Sequence, residues 1–409
     1  MPRKRFVCMI GGWLTLSILL SAQEIRIGPR KVELHGFGTQ GFLYTNTNNW
    51  LTTNSNQGSF AFTDMGLNAG MQLRSNLRIG GQVYDRNLGQ LGQWHPQLDW
   101  ALIDWRPKGW LGFRAGKVKT ILGLYNDTQD QDFAITWALL PQSVYPIDLR
   151  DATIAHEGGD IYGEVRLPHR RGTLNYTAYG GRRSDSLHSG FAYLATRFQI
   201  DYSTIAGPIY GGDLRWQAPL HGLTLGISRL DQALSITGWG APPPPTPSPY
   251  YKNEGPPGFM PFWQYSRHDW INQYFGQYIH GRLHLDAEYR RNYQDWVNSN
   301  GIDNEDIRGW YAGGGLRVNR WFELGSYYSH YRDIPQQSQV VWPYPQTRDF
   351  DKVVSGKFTL NRFTTFKVEG HFMNGYGDVH YPNGFYPEQN PDGFATYTNA
   401  LVVRAGFSF

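Results

Sequence analysis

The last sixteen residues of the chain, Phe394–Phe409, alternate between apolar side chains and polar or small ones. Side chains on a β-strand point alternately to its two faces, so this period of two predicts a strand with one apolar face. At roughly 3.3 Å per residue and a tilt of about 40°, the stretch from Tyr397 to the end would rise about 30 Å. The apolar positions are Tyr397, Leu401, Val403, Ala405, Phe407 and Phe409, and the polar or small ones are Thr396, Thr398, Arg404, Gly406 and Ser408.

The same alternation recurs along the chain in pairs of segments joined by short polar turns. In the first pair, residues 67–73 and 77–83 flank the turn Arg74-Ser75-Asn76, which is the pattern of a β-hairpin. Seven hairpins, a first strand and a last strand together predict sixteen strands. The predicted hairpins cover residues 67–83, 98–116, 160–180, 209–230, 271–292, 309–331 and 349–373, the first strand covers 33–44, and the last begins near residue 395.

Connections alternate in length, so that each short turn is followed by a long loop. This order predicts a closed antiparallel barrel with turns on one rim and loops on the other. Sixteen strands enclose a lumen that side chains alone do not fill, whereas eight would be filled. The predicted long loops are 45–62, 86–97, 118–159, 181–208, 231–270, 293–308, 332–348 and 374–394.

Composition favours a barrel with lipid outside and water inside. Aromatic residues make up 15% of the chain, yet the mean hydropathy is −0.50, so apolar and polar residues are mixed at short range. Beyond the N-terminus, the sequence has no run of roughly 20 apolar residues of the kind that a membrane-spanning helix requires.

The N-terminus has the pattern of a secretory signal peptide. Arg3, Lys4 and Arg5 precede the apolar run Val7–Leu20, and Ser21-Ala22 follows. We expect cleavage after Ala22, which divides the chain into a signal peptide, residues 1–22, and a single barrel domain, residues 23–409. Removal takes three of the 38 basic residues and no acidic one, leaving 35 against 34 acidic residues, and it also removes Cys8. The mature chain therefore lacks a basic footprint for nucleic acid and any disulfide.

The closing stretch resembles the last strand of Gram-negative outer-membrane barrels, which typically ends in Phe after alternate hydrophobic residues. Across the mature chain the pattern resembles the porin superfamily, and GLYNDTQD with LLPQSVYPIDLRDATIAHEGGDIYGEV is similar to the porin third loop. The resemblance implies an all-β transmembrane antiparallel barrel of about sixteen strands in the cell outer membrane, with short periplasmic turns and long extracellular loops. It also implies passive diffusion of small hydrophilic solutes, an inward-folded loop at 118–159, no cofactor, a homotrimer surrounded by outer-membrane lipid, and recognition by the barrel-assembly machinery through Phe407 and Phe409.

Alternation assigns charged side chains to the lumen. An acidic loop against a wall rich in arginine would set an electric field across the pore. The alternative, that these carboxylates pair with Arg and Lys or face water, stays open. The predicted basic wall residues are Arg78, Arg114, Arg166, Arg215, Arg290, Arg317, Lys357, Lys367 and Arg404, and the predicted constriction residues in the loop are Asp127, Asp130, Asp132, Asp148, Asp151 and Glu157.

Other motifs in the sequence do not favour an enzyme or a metal-binding protein. Gly36–Gly41 matches G-x-G-x-x-G, but a β-like and then turn-like stretch follows it instead of the helix that a dinucleotide site needs. His280 and His284 flank a Gly-Arg turn, so they do not share a helix face for zinc. The sequence contains no G-x-S-x-G motif. The alternatives to a general channel are a porin specific for anions, phosphate or sugars, and, with less support, a barrel enzyme.

Overall fold

The computed structural model describes residues 23–27, 30–196, 200–240, 260–298, 301–338, 348–377 and 383–409. The predicted signal peptide, residues 1–22, lies outside the described residues. A short strand at Gln23–Ile27 pairs with the beginning of the first barrel strand.

Sixteen antiparallel strands form one closed barrel, which confirms the predicted fold class. Each strand pairs with the next one in the chain, and the last pairs with the first. The strands are β1 Arg30–Thr45, β2 Phe62–Arg74, β3 Leu77–Leu88, β4 Gln97–Lys108, β5 Leu111–Lys119, β6 Ala155–Arg166, β7 Thr173–Ser184, β8 Ile200–Gln217, β9 Leu223–Gln232 with its continuation Ser235–Gly240, β10 Met260–His280, β11 Leu283–Asn298, β12 Gly301–Arg317, β13 Phe322–Arg332 with its continuation Pro335–Ser338, β14 Arg348–Thr359, β15 Thr364–Gly377 and β16 Tyr397–Ser408.

Helical segments are short and lie in the connections. None of the helices in the described part of the chain is long and apolar enough to span a membrane. The α-helices are α1 Arg150–Thr153 and α2 Gly190–Thr196, and the 3-10 turns are Ser55–Gln57, Asn126–Thr128, Ile147–Leu149, Pro168–Arg170 and Pro387–Gln389.

The barrel closes where β16 meets β1. Leu401 lies opposite Tyr44, and Phe407 lies opposite Gly38. Past the end of β16, the backbone N–H of Phe409 donates to the carbonyl of Gly36 at 2.9 Å, and Gly36 donates back at 3.2 Å. The predicted terminal strand is therefore the strand that completes the ring.

All seven predicted hairpins are present, but two predicted loops are much shorter than expected. The continuation of β9 reaches Gly240 and β10 begins at Met260, so strand structure covers much of 231–270. Only two residues separate Asn298 at the end of β11 from Gly301 at the start of β12, within the predicted loop 293–308. Alternation missed these extensions because their inner face is apolar too: Ile236, Phe262 and Trp296 are buried in one cluster with Ala192 of α2. The two faces therefore no longer differ in polarity, while the backbone ladder still continues.

The two faces of the wall have opposite character, and the inverted pattern identifies a membrane barrel. On the outer face Leu67 is 55% exposed, and Ile103 and Leu285 are also exposed. On the inner face Glu369 is 0% exposed, and Gln273 is likewise buried. Large apolar side chains that face outward over a whole wall are stable in lipid and would associate in water.

Close strand packing at Gly158 provides a test of the barrel wall. Gly158 in β6 lies opposite Gly181 in β7, and a Cβ at Gly158 would overlap the carbonyl oxygen of Gly180. We expect Gly158→Ala to lower the free energy of unfolding by about 1–3 kcal/mol, because backbone atoms must shift. The matched control is Gly109→Ala in the turn after β4, where a Cβ would meet no atom within 4 Å. Urea titration read by the mobility of unboiled protein on a gel measures both variants, and equal midpoints would contradict the prediction.

Candidate functional site

The candidate site is the third long loop, residues 120–154, which connects β5 to β6. The side chain of Gln82 in β3 donates to Asp130 at 2.7 Å. The backbone N–H of Leu124 donates to Glu288 in β11 at 3.0 Å. In a ring of sixteen strands, β3 and β11 lie on opposite sides, so the loop crosses the interior of the barrel.

One set of attachments joins the loop to cationic side chains of β15 and β16. Lys367 Nζ lies 2.9 Å from Asp132 Oδ1 and donates to the Trp137 carbonyl at 2.8 Å. Arg404 Nε lies 3.5 Å from Asp132, and its Nη1 donates to the Ala138 carbonyl at 2.9 Å. Burial raises the pKa of Asp132, but Lys367 and Arg404 outweigh it and hold that pKa below its usual range. Asp132 therefore stays ionised as a buried counter-ion.

A second set of ion pairs lies against β3, β4 and β5. Asp130 accepts from Lys119 at 2.8 Å. Burial raises the pKa of Asp130, but the charges of Lys119 and Arg150 lower it below the usual range. Arg150 in α1 makes two parallel hydrogen bonds of 3.0 Å to Asp99, which is the bidentate geometry that fixes both position and orientation. Arg86 lies 2.7 Å from Asp151.

Tyrosines of the loop attach it to carboxylates of β11. Tyr145 donates to Glu288 at 2.8 Å, and Tyr125 donates to Asp286 at 2.6 Å. The single hydroxyl proton of Tyr311 in β12 is within donating distance of both carboxylates, with the oxygen 2.8 Å from Glu288 and 3.1 Å from Asp286. Burial and the neighbouring carboxylates raise the pKa of Tyr125 and Tyr145 well above their ordinary value. Both phenols therefore remain protonated donors at any physiological pH.

Five of the nine predicted basic wall residues contact the loop. Arg215 donates to the Gly123 carbonyl at 2.8 Å, and Lys357 donates to the Phe133 carbonyl at 2.6 Å. Arg114 instead lies 2.9 Å from Asp160 on the neighbouring strand. The five that contact the loop are Arg215, Arg290, Lys357, Lys367 and Arg404. The three that lie exposed nearer the turns are Arg78, Arg166 and Arg317.

The predicted acidic residues occupy three kinds of position. Asp130, Asp132 and Asp151 form the buried ion pairs described above, which is the paired arrangement that the sequence left open. Asp148 accepts a hydrogen bond of 2.5 Å from the hydroxyl of Tyr386, which lies in the last long loop. Asp127 is more accessible and lies 3.9 Å from Arg215.

The assignment of Glu157 to the loop is wrong. Glu157 lies in β6, because the loop ends at residue 154 and not at 159. Its side chain is exposed on the face opposite to that of the buried His156. Sequence reasoning extended the loop into this strand because His156-Glu157-Gly158-Gly159-Asp160 is polar and glycine-rich.

No pattern in the sequence predicted the tyrosine attachments. Alternation placed Glu288 and Asp286 on the inner wall, but nothing in the spacing paired them with Tyr125 and Tyr145, more than 140 residues away in the chain. Within the described residues, no group of three or more His, Cys, Asp or Glu side chains is arranged to hold a metal ion.

Loosening the loop provides the second prediction. Lys367→Met removes a fully buried cation that holds Asp132 and two loop carbonyls. Because a buried counter-ion then loses a partner, we expect the free energy of unfolding to fall by roughly 3 kcal/mol. We also expect faster proteolysis within residues 120–154. Arg166→Met, at an exposed arginine of the same inner face, is the matched control. Identical cleavage patterns in the two variants would show that Lys367 does not hold the loop.

Comparison with known proteins is informative at the level of structure alone. No protein-family model matches the sequence, and no curated protein matches it. The outer-membrane channel DcaP of Acinetobacter baumannii aligns with a TM-score of 0.56 at 10% identity, covering 95% of this chain and 100% of that one. The anion-selective porin of Comamonas acidovorans aligns with a TM-score of 0.55 at 11% identity, covering 93% and 100%.

A trimeric structure is also similar. The trimer form of OmpT, an outer-membrane protein of Vibrio cholerae, aligns with a TM-score of 0.50 at 10% identity, covering 93% of this chain and 100% of that one. Identity this low shows the fold and no more. Together with the closed ring of sixteen strands and the apolar outer face, it establishes that this chain has the fold of a porin-like β-barrel of the bacterial outer membrane.

Proposed function

We propose that the barrel is an outer-membrane channel for the passive diffusion of small hydrophilic solutes, narrowed by residues 120–154. The observation that carries the proposal is the attachment of this loop to opposite sides of the wall, at Gln82 and at Glu288. A sixteen-stranded barrel is too wide for wall side chains alone to fill, so a segment fixed across it determines the size of what passes.

The accessible charges favour anions. Beside the loop the exposed charges balance: Arg215, which pairs with Asp213, is 25% exposed, and Asp127 is 23% exposed. The Asp130 side chain is only 4% exposed and is paired with Lys119. Arg78, Arg166 and Arg317 are exposed on the inner face, where Glu164 is an exposed acid. A solute in the lumen therefore meets more basic than acidic charge. This supports the anion-preferring form of the channel, and it differs from the acidic constriction expected from the sequence.

A barrel enzyme has less support. His371 lies between two carboxylates, with Nδ1 2.6 Å from Asp351 and Nε2 3.0 Å from Glu369. A histidine hydrogen-bonded to a carboxylate is also the arrangement that many enzymes use for acid–base catalysis. However, the imidazole is fully buried, and Trp50 covers it with ring centroids 5.1 Å apart. A substrate would have to displace that packing to reach the ring, so the group serves the loop attachment through Glu369, which accepts from Ala138 N–H.

Recognition by the assembly machinery through Phe407 and Phe409 remains part of the proposal. The Phe407 ring lies 6.1 Å from that of Phe409 and 6.2 Å from that of Phe363 at the turn rim. Both rings lie at the end of the strand that closes the barrel against β1, which supports a role for them in assembly.

Ion selectivity tests the channel. We expect purified protein in a planar bilayer to conduct, with a reversal potential on the anion side under a KCl gradient. Arg215→Gln should shift the reversal potential toward cations, and Asp127→Asn should shift it further toward anions, because each changes an accessible charge beside the loop.

Arg308→Gln makes the same charge change on the outer face and is the matched control, for which no shift is expected. Failure to conduct would contradict the channel itself. Conduction with cation preference would contradict only the anion-preferring form.

We also propose a homotrimer, since closed cyclic symmetry suits a barrel that packs through its wall. The trimer form of OmpT is consistent with this assembly. Cross-linking in mild detergent should yield a species of three times the monomer mass that dissociates on boiling. If cross-linking yields only monomer, the trimer is contradicted and the proposed channel is not affected.

A further inference from the structure

Three arginines on the outer wall form a cluster that the channel does not use. They are Arg229 in β9, Arg291 in β11 and Arg308 in β12, with side chains 45%, 40% and 42% exposed. Their chain neighbours Ser228, Asn292 and Ile307 are buried on the inner face. Since successive side chains on a strand alternate, the three arginines point away from the lumen.

The arginine cluster occupies one row of the strand ladder, directly beyond a row of mostly aromatic residues. In an outer-membrane barrel, aromatic side chains mark the edge of the hydrocarbon layer. A row two residues further toward the loops, about 6.6 Å along the strand, therefore lies among the lipid headgroups. From turns to loops the successive rows are Leu225, Gly276, Ala287 and Ala312; then Ile227, Tyr274, Tyr289 and Trp310; then Arg229, Asn272, Arg291 and Arg308.

A tryptophan brings the first two guanidinium groups together. Arg229 and Arg291 lie over the ring of Trp270, at 5.0 and 5.4 Å from its centroid. Asp231 accepts from Arg229 Nε at 2.7 Å and from Nη2 at 2.5 Å, while Nη1 donates to Asn272 at 3.1 Å. These contacts fix the guanidinium planes at the surface.

The remaining carboxylate is shared, so the arginine cluster keeps a positive charge. Asp306 accepts from Arg291 at 2.8 and 3.0 Å and from Arg308 at 3.2 and 2.5 Å. In both arginines these bonds use Nε and Nη2. Within the described part of the chain, the Nη1 group of Arg291 and that of Arg308 have no carboxylate partner. Three guanidinium groups thus face two carboxylates, Asp231 and Asp306.

We propose that Arg229, Arg291 and Arg308 bind the phosphate group of an anionic lipid in the surrounding membrane. The rigid, charged fork of arginine matches phosphate oxygens and gives stronger hydrogen bonds than neutral donors. The source of the phosphate is a lipid, because the rows beneath the cluster are apolar and aromatic and would contact the acyl chains of the same molecule. The site lies on the opposite face of the wall from the pore and does not depend on conduction.

Lipid retention measured by native mass spectrometry tests the site. The folded protein in a neutral detergent is mixed with phosphatidic acid at increasing mole fraction. We expect R291Q/R308Q to need about tenfold more lipid for the same occupancy, because charge-assisted hydrogen bonds are lost. R229Q alone should give a smaller shift in the same direction. R317Q removes an equal charge from the inner face and should retain lipid as the unmodified protein does.

Three outcomes would overturn the proposal. Equal retention of phosphatidic acid by R291Q/R308Q and R317Q would show that the arginine cluster does not bind the lipid. Binding of inorganic phosphate as tight as that of phosphatidic acid would identify a free anion as the ligand. Dissociation of an oligomer in R291Q/R308Q, with lipid retention unchanged, would make this face an interface between copies. Mobility of unboiled samples establishes that each variant is folded, and bilayer conductance of R229Q and R291Q/R308Q, which change only the outer face, is expected to stay unchanged.

Discussion

The seam between β16 and β1 is the constraint on which the rest of the structure depends. Lipid offers no hydrogen-bonding partner, so every backbone N–H and C=O within the membrane must pair with another strand. The pairing of Phe409 with Gly36, next to the β16–β1 ladder, leaves no open edge in the ring. Once the ring is closed, alternation decides the rest: one face of each strand meets lipid and the other meets water or the loop.

The loop is fixed in the polar interior of the barrel by two kinds of side-chain contact. On the β15–β16 side, Lys367 and Arg404 hold Asp132 by charge. On the β11–β12 side, neutral phenols donate to Glu288 and Asp286. Buried ion pairs add little net stability compared with apolar packing, but they are costly to mispair. The two kinds of contact therefore specify which part of the loop attaches to which side of the wall, and not merely how strongly the loop is held.

The sequence predicted the ring of strands because alternation and turn chemistry are local signals. Each predicted hairpin, such as the one at 67–83, is decided within about twenty residues of chain. The attachments of the loop are not local: Tyr145 meets Glu288 across 143 positions, and Lys367 meets Asp132 across 235. Alternation predicts that a carboxylate faces the lumen, but it does not predict whether that carboxylate meets water or a counter-ion. For the same reason, Asp130 was expected at an acidic constriction and lies instead in an ion pair.

The outer wall shows a different limit. A pattern that assigns apolar side chains to lipid ends where the hydrocarbon ends, so it describes neither Arg291 nor the strand beyond it. From Arg291 to the end of β11 at Asn298, the wall continues for roughly 18 Å at about 3.3 Å per residue and a tilt of about 40°. At physiological salt the electrostatic screening length is only about 8 Å. On this side of the barrel, the rim therefore stands about two screening lengths beyond the row of Arg291, so the electric field of charges at the level of that row is largely screened at the rim.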